Sequence, residues 1–159
     1  MRLHRFGTAV GLALFATVSL EGQTGAATSE TEVLAVVTRL FDGMRKHDSS
    51  MVRSVFAPGA KLVSAFTNRE GKPVVQEEAA DNFVKMVGAA SGDVWDEKIF
   101  NPEVRVDGNL ATVWTRYEFW LGTKFSHCGF DAFQLAKSEA GWRVVALADT
   151  RQREGCPGR

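Results

Sequence analysis

The side chains best suited to acid–base chemistry occur in the second half of this chain, at alternating positions of two neighbouring stretches. Arg116 and Glu118 stand two residues apart in the first stretch, and His127 and Asp131 stand in the second. A carboxyl group beside an arginine stays ionised, whereas one that is buried without a charge partner has a raised pKa and can exchange a proton. These four residues are the candidate catalytic groups, provided that the fold brings them to one side of a sheet.

Two tight turns predict which of these side chains share a face. The turns at Gly122-Thr123 and at 138–141 join three stretches of alternating residues, as in an antiparallel meander. Direct pairing across the first turn places Glu118 opposite His127. One predicted face then carries the four polar residues together with aromatic and small ones, namely Trp114, Trp120, Phe133, Ala146, Ala148 and Thr150.

We expect this face to be concave and to line a ligand pocket. Small side chains such as Ala146 and Ala148 leave volume open, and the aromatic and polar groups around that volume can bind a small molecule. A one-residue slip at either turn would exchange the two faces of the sheet, so the inverted arrangement stays open as an alternative.

The opposite predicted face is more uniformly apolar and suits contact with a second subunit, which predicts a homodimer. It carries Val113, Thr115, Tyr117, Phe119, Cys128, Phe130, Ala132, Val145, Leu147 and Asp149. Asp149 and Arg151 flank Thr150 at the end of the last stretch and can form an ion pair.

The elements that must position these residues begin with helices. A capping box, Ser29 to Glu32, precedes apolar residues at helical spacing and predicts a helix over 30–46. Asp48 is the expected cap of a second short helix. The remaining predicted elements are a short strand at 62–66, an extended segment at 73–75, a helix at 77–90, and strands at 94–106, 110–121, 124–137 and 142–152. This order predicts one α+β domain over residues 28–159.

The N-terminal residues have the features of a secretory signal peptide. A positive start is followed by an apolar run, Phe6 to Leu20, and then by small residues that end at Ala27. We therefore expect residues 1–27 to be removed and the mature chain to be periplasmic or secreted, without a membrane anchor. An uncleaved anchor is the alternative, although the apolar run is short for one.

Composition and cysteine usage limit the partners further. The chain has 19 basic and 19 acidic residues and no basic block, which argues against nucleic-acid binding. Export would place Cys128 and Cys156 in an oxidising compartment, where they form either a disulfide or two free thiols. A metal site has little support, because His127 is the only further ligand type nearby, and no cofactor is required by any motif.

The C-terminal strands resemble those of the nuclear transport factor 2-like superfamily, in an exported bacterial branch labelled "putative lumazine-binding". The resemblance rests on the block Phe125-Ser-His-Cys-Gly-Phe-Asp-Ala-Phe-Gln-Leu135, on Gly141-Trp142-Arg143 and on Asp149-Thr-Arg151. It implies a cone-shaped, strongly curved antiparallel sheet with N-terminal helices in its concavity, a cystatin-like α+β roll. Superfamily members include isomerases, cyclases, dehydratases and epoxide hydrolases as well as proteins without a known reaction.

The resemblance also suggests roles for single residues. Arg116, Glu118 and Asp131 are similar to the Asp-Arg-Asp arrangement of the superfamily's epoxide hydrolases, with Glu in place of one Asp. His127 and Asp131 could act as the acid–base pair of a cyclase. The steroid-isomerase pattern requires a tyrosine near the acids, whereas the predicted register places Tyr117 on the opposite face.

The sequence therefore favours a domain that binds a small, partly apolar molecule without catalysis. A hydrolase, isomerase or cyclase that needs no cofactor is the first alternative. The second is a structural or interaction module whose pocket is filled by its own side chains.

Overall fold

The computed structural model describes residues 21–156, with side chains from Thr28 onward. Three helices and six strands follow one another along this part of the chain. They are α1 (Glu21–Arg45), α2 (Ser49–Val55), β1 (Phe56–Thr67), β2 (Pro73–Ala79), α3 (Ala80–Ala89), β3 (Trp95–Asp107), β4 (Leu110–Leu121), β5 (Lys124–Ser138) and β6 (Gly141–Arg151). The predicted signal peptide lies mostly outside the described residues.

The six strands form one curved sheet in the order β2-β1-β6-β5-β4-β3. Neighbouring strands are antiparallel except β1 and β6, which run parallel, so the sheet is mixed and not wholly antiparallel. The α+β class with helices N-terminal to the main sheet is confirmed. β1 is longer than the predicted 62–66, because it pairs with β2 on one side and β6 on the other and gains backbone hydrogen bonds from both.

α1 lies against the sheet through one apolar stripe. Val33, Val37 and Leu40 are almost fully buried, at the spacing that puts them on one side of a helix. The ring of Phe41 contacts Phe133 edge-on, with 6.2 Å between ring centroids. Ser29 lies inside α1 and not at its N-cap, because the helix already begins at Glu21 in the full chain, so the predicted capping box is wrong there.

α2 begins where the sequence predicts. The Asp48 side chain caps it by accepting a hydrogen bond from the backbone N–H of Met51 at 2.8 Å. The close approach of α1 to α2 depends on Gly43, since a Cβ there would lie 2.7 Å from Cγ2 of Val52.

A β-bulge near the start of β5 changes the face predicted for β4. Next to the turn, Trp120 pairs with Phe125 as expected. The following pair is Phe119 with His127, which leaves Ser126 as the extra residue of the bulge. Each later residue of β5 therefore pairs with the β4 residue one position away from the predicted partner. The prediction that paired Glu118 with His127, and so placed the polar residues of β4 on the same face as His127, is wrong for this reason.

A second bulge, between β5 and β6, has the same effect. Leu135 pairs with Val144 as expected, and Val145 is then skipped. Asp131 consequently lies opposite Asp149, one residue beyond the predicted partner. As a result, the side chains of β5 lie on the predicted faces of the sheet. The side chains of β4, and those of β6 beyond its bulge, lie on the face opposite to the predicted one.

We call the side of the sheet that the helices cover the inner face, and the opposite side the outer face. The inner face carries Val113, Thr115, Tyr117, Phe119, His127, Asp131, Phe133, Leu135, Val144, Leu147 and Asp149. The outer face carries Trp114, Arg116, Glu118, Trp120, Phe130, Ala146, Ala148 and Thr150. Much of the apolar set predicted to contact a second subunit thus packs against the helices instead.

Candidate functional site

A small cavity lies between the helices and the inner face of the sheet. Its apolar walls are Leu40, Phe41 and Met44 of α1, Leu62 and Val63 of β1, Phe83 of α3 and Leu147 of β6. Its polar lining consists of Ser64, Glu78, Glu97, Asp149 and Arg151. The cavity volume is about 70 Å³, which leaves room for several waters.

Alternation along β6 brings Asp149 and Arg151 to the same face and into contact. Arg151 Nε donates a hydrogen bond to Asp149 Oδ2 at 2.6 Å, so the predicted ion pair is present. The Asp149 side chain is only 13% exposed, whereas that of Arg151 is 51% exposed. Arg151 therefore lies at the mouth of the cavity, and Asp149 lies deeper.

Tyr117 of β4 reaches across β5 to the same place. Its hydroxyl donates to the backbone oxygen of Thr150 at 2.8 Å and lies 3.3 Å from Asp149 Oδ2. Gly129, the cross-strand partner of Tyr117, makes room for this approach, because a Cβ there would lie 1.9 Å from Thr150 O. Burial and the nearby carboxylates raise the pKa of Tyr117, so the hydroxyl stays protonated.

The Glu97 and Asp131 carboxyl groups form an acidic pair beside the cavity. Asp131 is 2% exposed, and its Oδ2 receives no hydrogen bond from any described residue. Burial raises the pKa of Asp131 well above its usual range, and the adjacent Glu97 carboxyl raises it further. Burial also raises the pKa of Glu97, to about 7. Since the two groups lie within hydrogen-bonding reach of each other, they share one proton near neutral pH.

His127 lies on the inner face among aromatic rings and is kept neutral. Its ring contacts Tyr117 edge-on at 5.7 Å and Phe119 at 5.1 Å between centroids, and its Nδ1 lies 3.0 Å from the Ser126 hydroxyl. Burial, and to a lesser extent the positive charge of Arg151, lower the pKa of His127 to about 4. A neutral imidazole can act as a base or a hydrogen-bonding group, but it adds no positive charge to the site.

The structure separates the side chains that the sequence predicted to act together. His127, Asp131 and Phe133 lie on the inner face, with Phe133 in the core beneath α1. Arg116 and Glu118 lie on the outer face and form an ion pair at 3.0 Å. Because the sheet stands between them and Asp131, the predicted Arg116–Glu118–Asp131 site is wrong.

The predicted ligand-binding aromatics are also on the outer face. Trp114 is 48% exposed and stacks on Phe130, with 5.1 Å between their centroids. Trp120 lies under the Lys98 ammonium group, and Arg116 stacks over Phe100. Ala146 and Ala148 belong to the same outer side of β6. None of these side chains lines the described cavity, since the bulges at Ser126 and Val145 place their strand positions away from the helices.

Glu97 was not predicted from the sequence as a site residue, and neither Tyr117 nor Arg151 was connected with Asp131. Glu97 shares a face of β3 with the partly buried Trp95 and Ile99 and pairs directly with Phe119, but only the register of β3 against β4 shows that it points inward. Among the described residues, no three His, Cys, Asp or Glu side chains are arranged to hold a metal ion.

A disulfide joins Cys128 of β5 to Cys156, with 6.1 Å between the Cα atoms. The alternative of two free thiols is therefore wrong. The bridge holds the segment after β6 against the outer side of β5, where Cys128 and Gln152 also exchange two backbone hydrogen bonds of 2.9 Å. It thereby anchors the strand end that carries Arg151.

Solved structures with the same architecture come from several bacteria. A nuclear transport factor 2-like protein with a cystatin-like fold from Novosphingobium aromaticivorans has a TM-score of 0.68 at 10% identity, over 86% of this chain and 90% of that one. A superfamily protein from Salmonella enterica serovar Typhimurium has a TM-score of 0.63 at 17% identity, over 84% and 97%. A protein of unknown function from Mycobacterium tuberculosis has a TM-score of 0.60 at 18% identity, over 77% and 76%.

Residues 28–148 match the family described as "Putative lumazine-binding". The chain belongs to this family. Its fold is that of the nuclear transport factor 2-like superfamily, as the strand motifs predicted. No curated protein matches the sequence significantly. Within the described part of the chain, no helix is long and apolar enough to cross a membrane.

Proposed function

We propose that this chain is an exported domain that binds a small, partly apolar molecule in the cavity between the helices and the inner face of the sheet, without converting it. The cavity itself carries the proposal. Apolar walls from α1, β1, α3 and β6 end at a polar group that includes Glu97, Asp149 and Arg151. Apolar walls with a few converging polar groups are the usual form of a small-molecule site.

The family description agrees with a ligand-binding role, since it names a small heterocyclic molecule. The open volume is too small for a molecule of two fused rings to be enclosed completely. A larger ligand would therefore have to move side chains at the mouth, and Arg151 is the most exposed charged group there.

Native mass spectrometry of the exported chain tests this proposal. We expect a small molecule that is lost on denaturation, or binding of added candidates at one molecule per cavity. Ser64→Phe places a ring in the cavity and should abolish this binding, whereas Thr112→Phe, at an exposed position of β4, should not. If both variants bind as the wild type does, the ligand does not occupy this cavity and the proposal is refuted.

Acid–base catalysis is the second candidate, and the carboxyl pair is the observation that favours it. A group whose pKa lies near 7, as for Glu97, exchanges protons most effectively at neutral pH. Incubating a bound candidate with the wild type and with Asp131→Asn, followed by chromatography and mass spectrometry, distinguishes the two functions. A product that forms only with the wild type supports catalysis, and an unchanged molecule supports binding alone.

We also propose that two copies associate through the outer face of the sheet. Leu110, Trp114 and Phe130 are exposed by 56%, 48% and 39%, and the last two are stacked side by side. Glu103 and Arg105 on the adjacent β3 are exposed next to this patch, so a two-fold axis can bring opposite charges together. Light scattering after size-exclusion chromatography should give twice the chain mass for the wild type and the single mass for Trp114→Glu.

The proposal that the chain is exported rests on the signal-peptide features of its first 27 residues. Removal after Ala27 would delete the first turns of α1 and bring Ser29 close to the new N-terminus, where its hydroxyl could cap the helix. N-terminal sequencing of the protein recovered from the periplasm tests this. A retained Met1 would refute cleavage.

A further inference from the structure

We infer that the cavity selects a small organic cation, namely an amine or amidine carried on a flat apolar frame. This inference rests on the proposed binding function and adds the chemical class of the ligand. Its basis is the imbalance between acidic and basic side chains at the polar end of the cavity.

Carboxyl groups outnumber cations around this end of the cavity. Glu78, Glu97 and Asp149 line it, whereas Arg151 is the one cationic side chain in the lining. Arg151 is already paired with Asp149 through its Nε. Its charge therefore offsets mainly Asp149, and the other carboxyl groups have no hydrogen-bonded cation of their own in the described lining.

The buried pair next to the cavity adds to the negative charge. Asp131 lies beside Glu97, is 2% exposed and has an oxygen that receives no hydrogen bond from the described residues. Even with one proton shared, Glu97 and Asp131 together keep one negative charge. A bound N–H donor at Glu97 would compensate this charge, and a cationic donor would do so most strongly.

The other charged or titratable groups that face Glu97 compensate its charge only in part, because Arg151 is the one cation among the described residues that acts on it. Tyr117 from β4 directs its hydroxyl to Thr150 O, and Arg151 from β6 is paired with Asp149. Arg45 from α1 donates to the backbone oxygen of Glu97 at 3.3 Å and not to its carboxyl group, and it is paired with two other aspartates.

The walls determine the rest of the ligand. Leu40, Phe41, Met44, Leu62 and Leu147 surround the space with apolar atoms, so the cation must carry an apolar frame that fits among them. The limited volume favours a single ring that extends into the mouth of the cavity. An anion of the same shape would be repelled by the lining, and a neutral amide would bring a carbonyl oxygen that needs a donor of its own.

Three molecules of nearly the same shape test the inference: benzamidine (a cation), benzamide (neutral) and benzoate (an anion). At pH 8 we expect the exported chain to bind benzamidine at least tenfold more tightly than benzamide, with no detectable binding of benzoate by calorimetry. Glu97→Gln should weaken benzamidine binding at least tenfold and leave benzamide binding within twofold. Glu139→Gln, which changes an exposed carboxyl group in the β5–β6 turn, is the control and should change neither.

The pH dependence provides a second readout. Benzamidine stays a cation between pH 5.5 and 8, so tighter binding at higher pH reports the deprotonation of protein groups. We expect at least a tenfold gain across this range in the wild type and less than threefold in Glu97→Gln. Proton release on binding, measured in buffers of different ionisation enthalpy, should accompany the gain near pH 6.5.

Benzamide or benzoate binding as tightly as benzamidine would overturn the choice of a cation, while leaving a ligand-binding cavity in place. Failure of all three probes to bind would also overturn it. The proposed function would then be judged separately, by the bound molecule in native mass spectra and its loss in Ser64→Phe.

Discussion

Replacing Glu97 by glutamine should make the protein more stable at alkaline pH and leave its stability at acidic pH almost unchanged. Glutamine has the shape of the protonated acid, so it keeps the packing around Asp131. It removes the need to ionise a carboxyl group that is surrounded by protein atoms. The size of the effect follows from the pKa of Glu97.

Burial raises the pKa of Glu97 from its usual 4.5 to about 7. The folded state therefore holds a proton that the unfolded state has released between these two values, and stability falls as the pH rises through this window. Above pH 7 the loss is complete and amounts to about 2 to 3 kcal/mol, at 1.4 kcal/mol for each pH unit and with an allowance for the open mouth of the cavity. Asp131, whose pKa is also raised, acts in the same direction.

Urea denaturation followed by tryptophan fluorescence at pH 4.5, 6 and 8 measures the effect. The free energy of unfolding of Glu97→Gln should match the wild type at pH 4.5 and exceed it by about 2 to 3 kcal/mol at pH 8, or about 6 to 10 °C in Tm. The difference between the two proteins cancels the contributions of titrating groups that do not interact with Glu97. Glu139→Gln, on the exposed turn, should stay within about 0.5 kcal/mol of the wild type at every pH.

Parallel stability curves for Glu97→Gln and the wild type would refute the reasoning. They would mean that Glu97 has the same proton affinity in the folded and unfolded chain, so it neither shares a proton with Asp131 nor loses solvent on folding. A gain at pH 8 would also mean that the polar end of the cavity reduces stability, as is common for functional sites.

Three further predictions concern other parts of the site. Because the pKa of His127 is lowered to about 4, its contribution to stability is present above pH 6.5 and is lost as the pH falls towards 4, so His127→Asn should show a weaker loss of urea midpoint between pH 7 and 4.5 than the wild type. Gly129→Ala should destabilise the fold by about 3 kcal/mol or more in thermal denaturation, since its Cβ would lie 1.9 Å from Thr150 O, and a loss below 1 kcal/mol would contradict this geometry. Replacing Cys128 and Cys156 together by serine should cost about 3 kcal/mol of unfolding free energy, and reductant should lower the stability of the wild type but not of this variant.

Local patterns in the sequence were sufficient to predict most elements. The cap at Asp48, the hairpin turns and the bounds of β4 follow from side-chain chemistry within a few residues, and these predictions are confirmed. The early start of β1 was missed, because its first residues are extended through pairing with distant strands. Tertiary pairing of this kind is not encoded in the local pattern.

Only two of the four predicted catalytic residues lie on the face of the sheet that forms the cavity. His127 and Asp131 were correctly placed on the side that the helices cover, but Arg116 and Glu118 were placed with them and lie on the other side. For β4 the alternative of a one-residue slip in register relative to β5 is the correct one. Glu97 carries no local signal that distinguishes it from the other acidic residues of its strand.

The sequence by itself determined the order of the helices and strands, and therefore the family and the α+β class, although residues 77–79, predicted to be helical, belong to β2. The tertiary structure decided which side chains meet. Alternation predicts which side chains of two paired strands share a face only where the strand pairing is uninterrupted. One extra residue in either strand moves all later side chains of the pairing to the opposite face. The bulges that leave Ser126 and Val145 unpaired are such interruptions. They bring Tyr117, Asp149 and Asp131 to one face and leave Trp114 on the other.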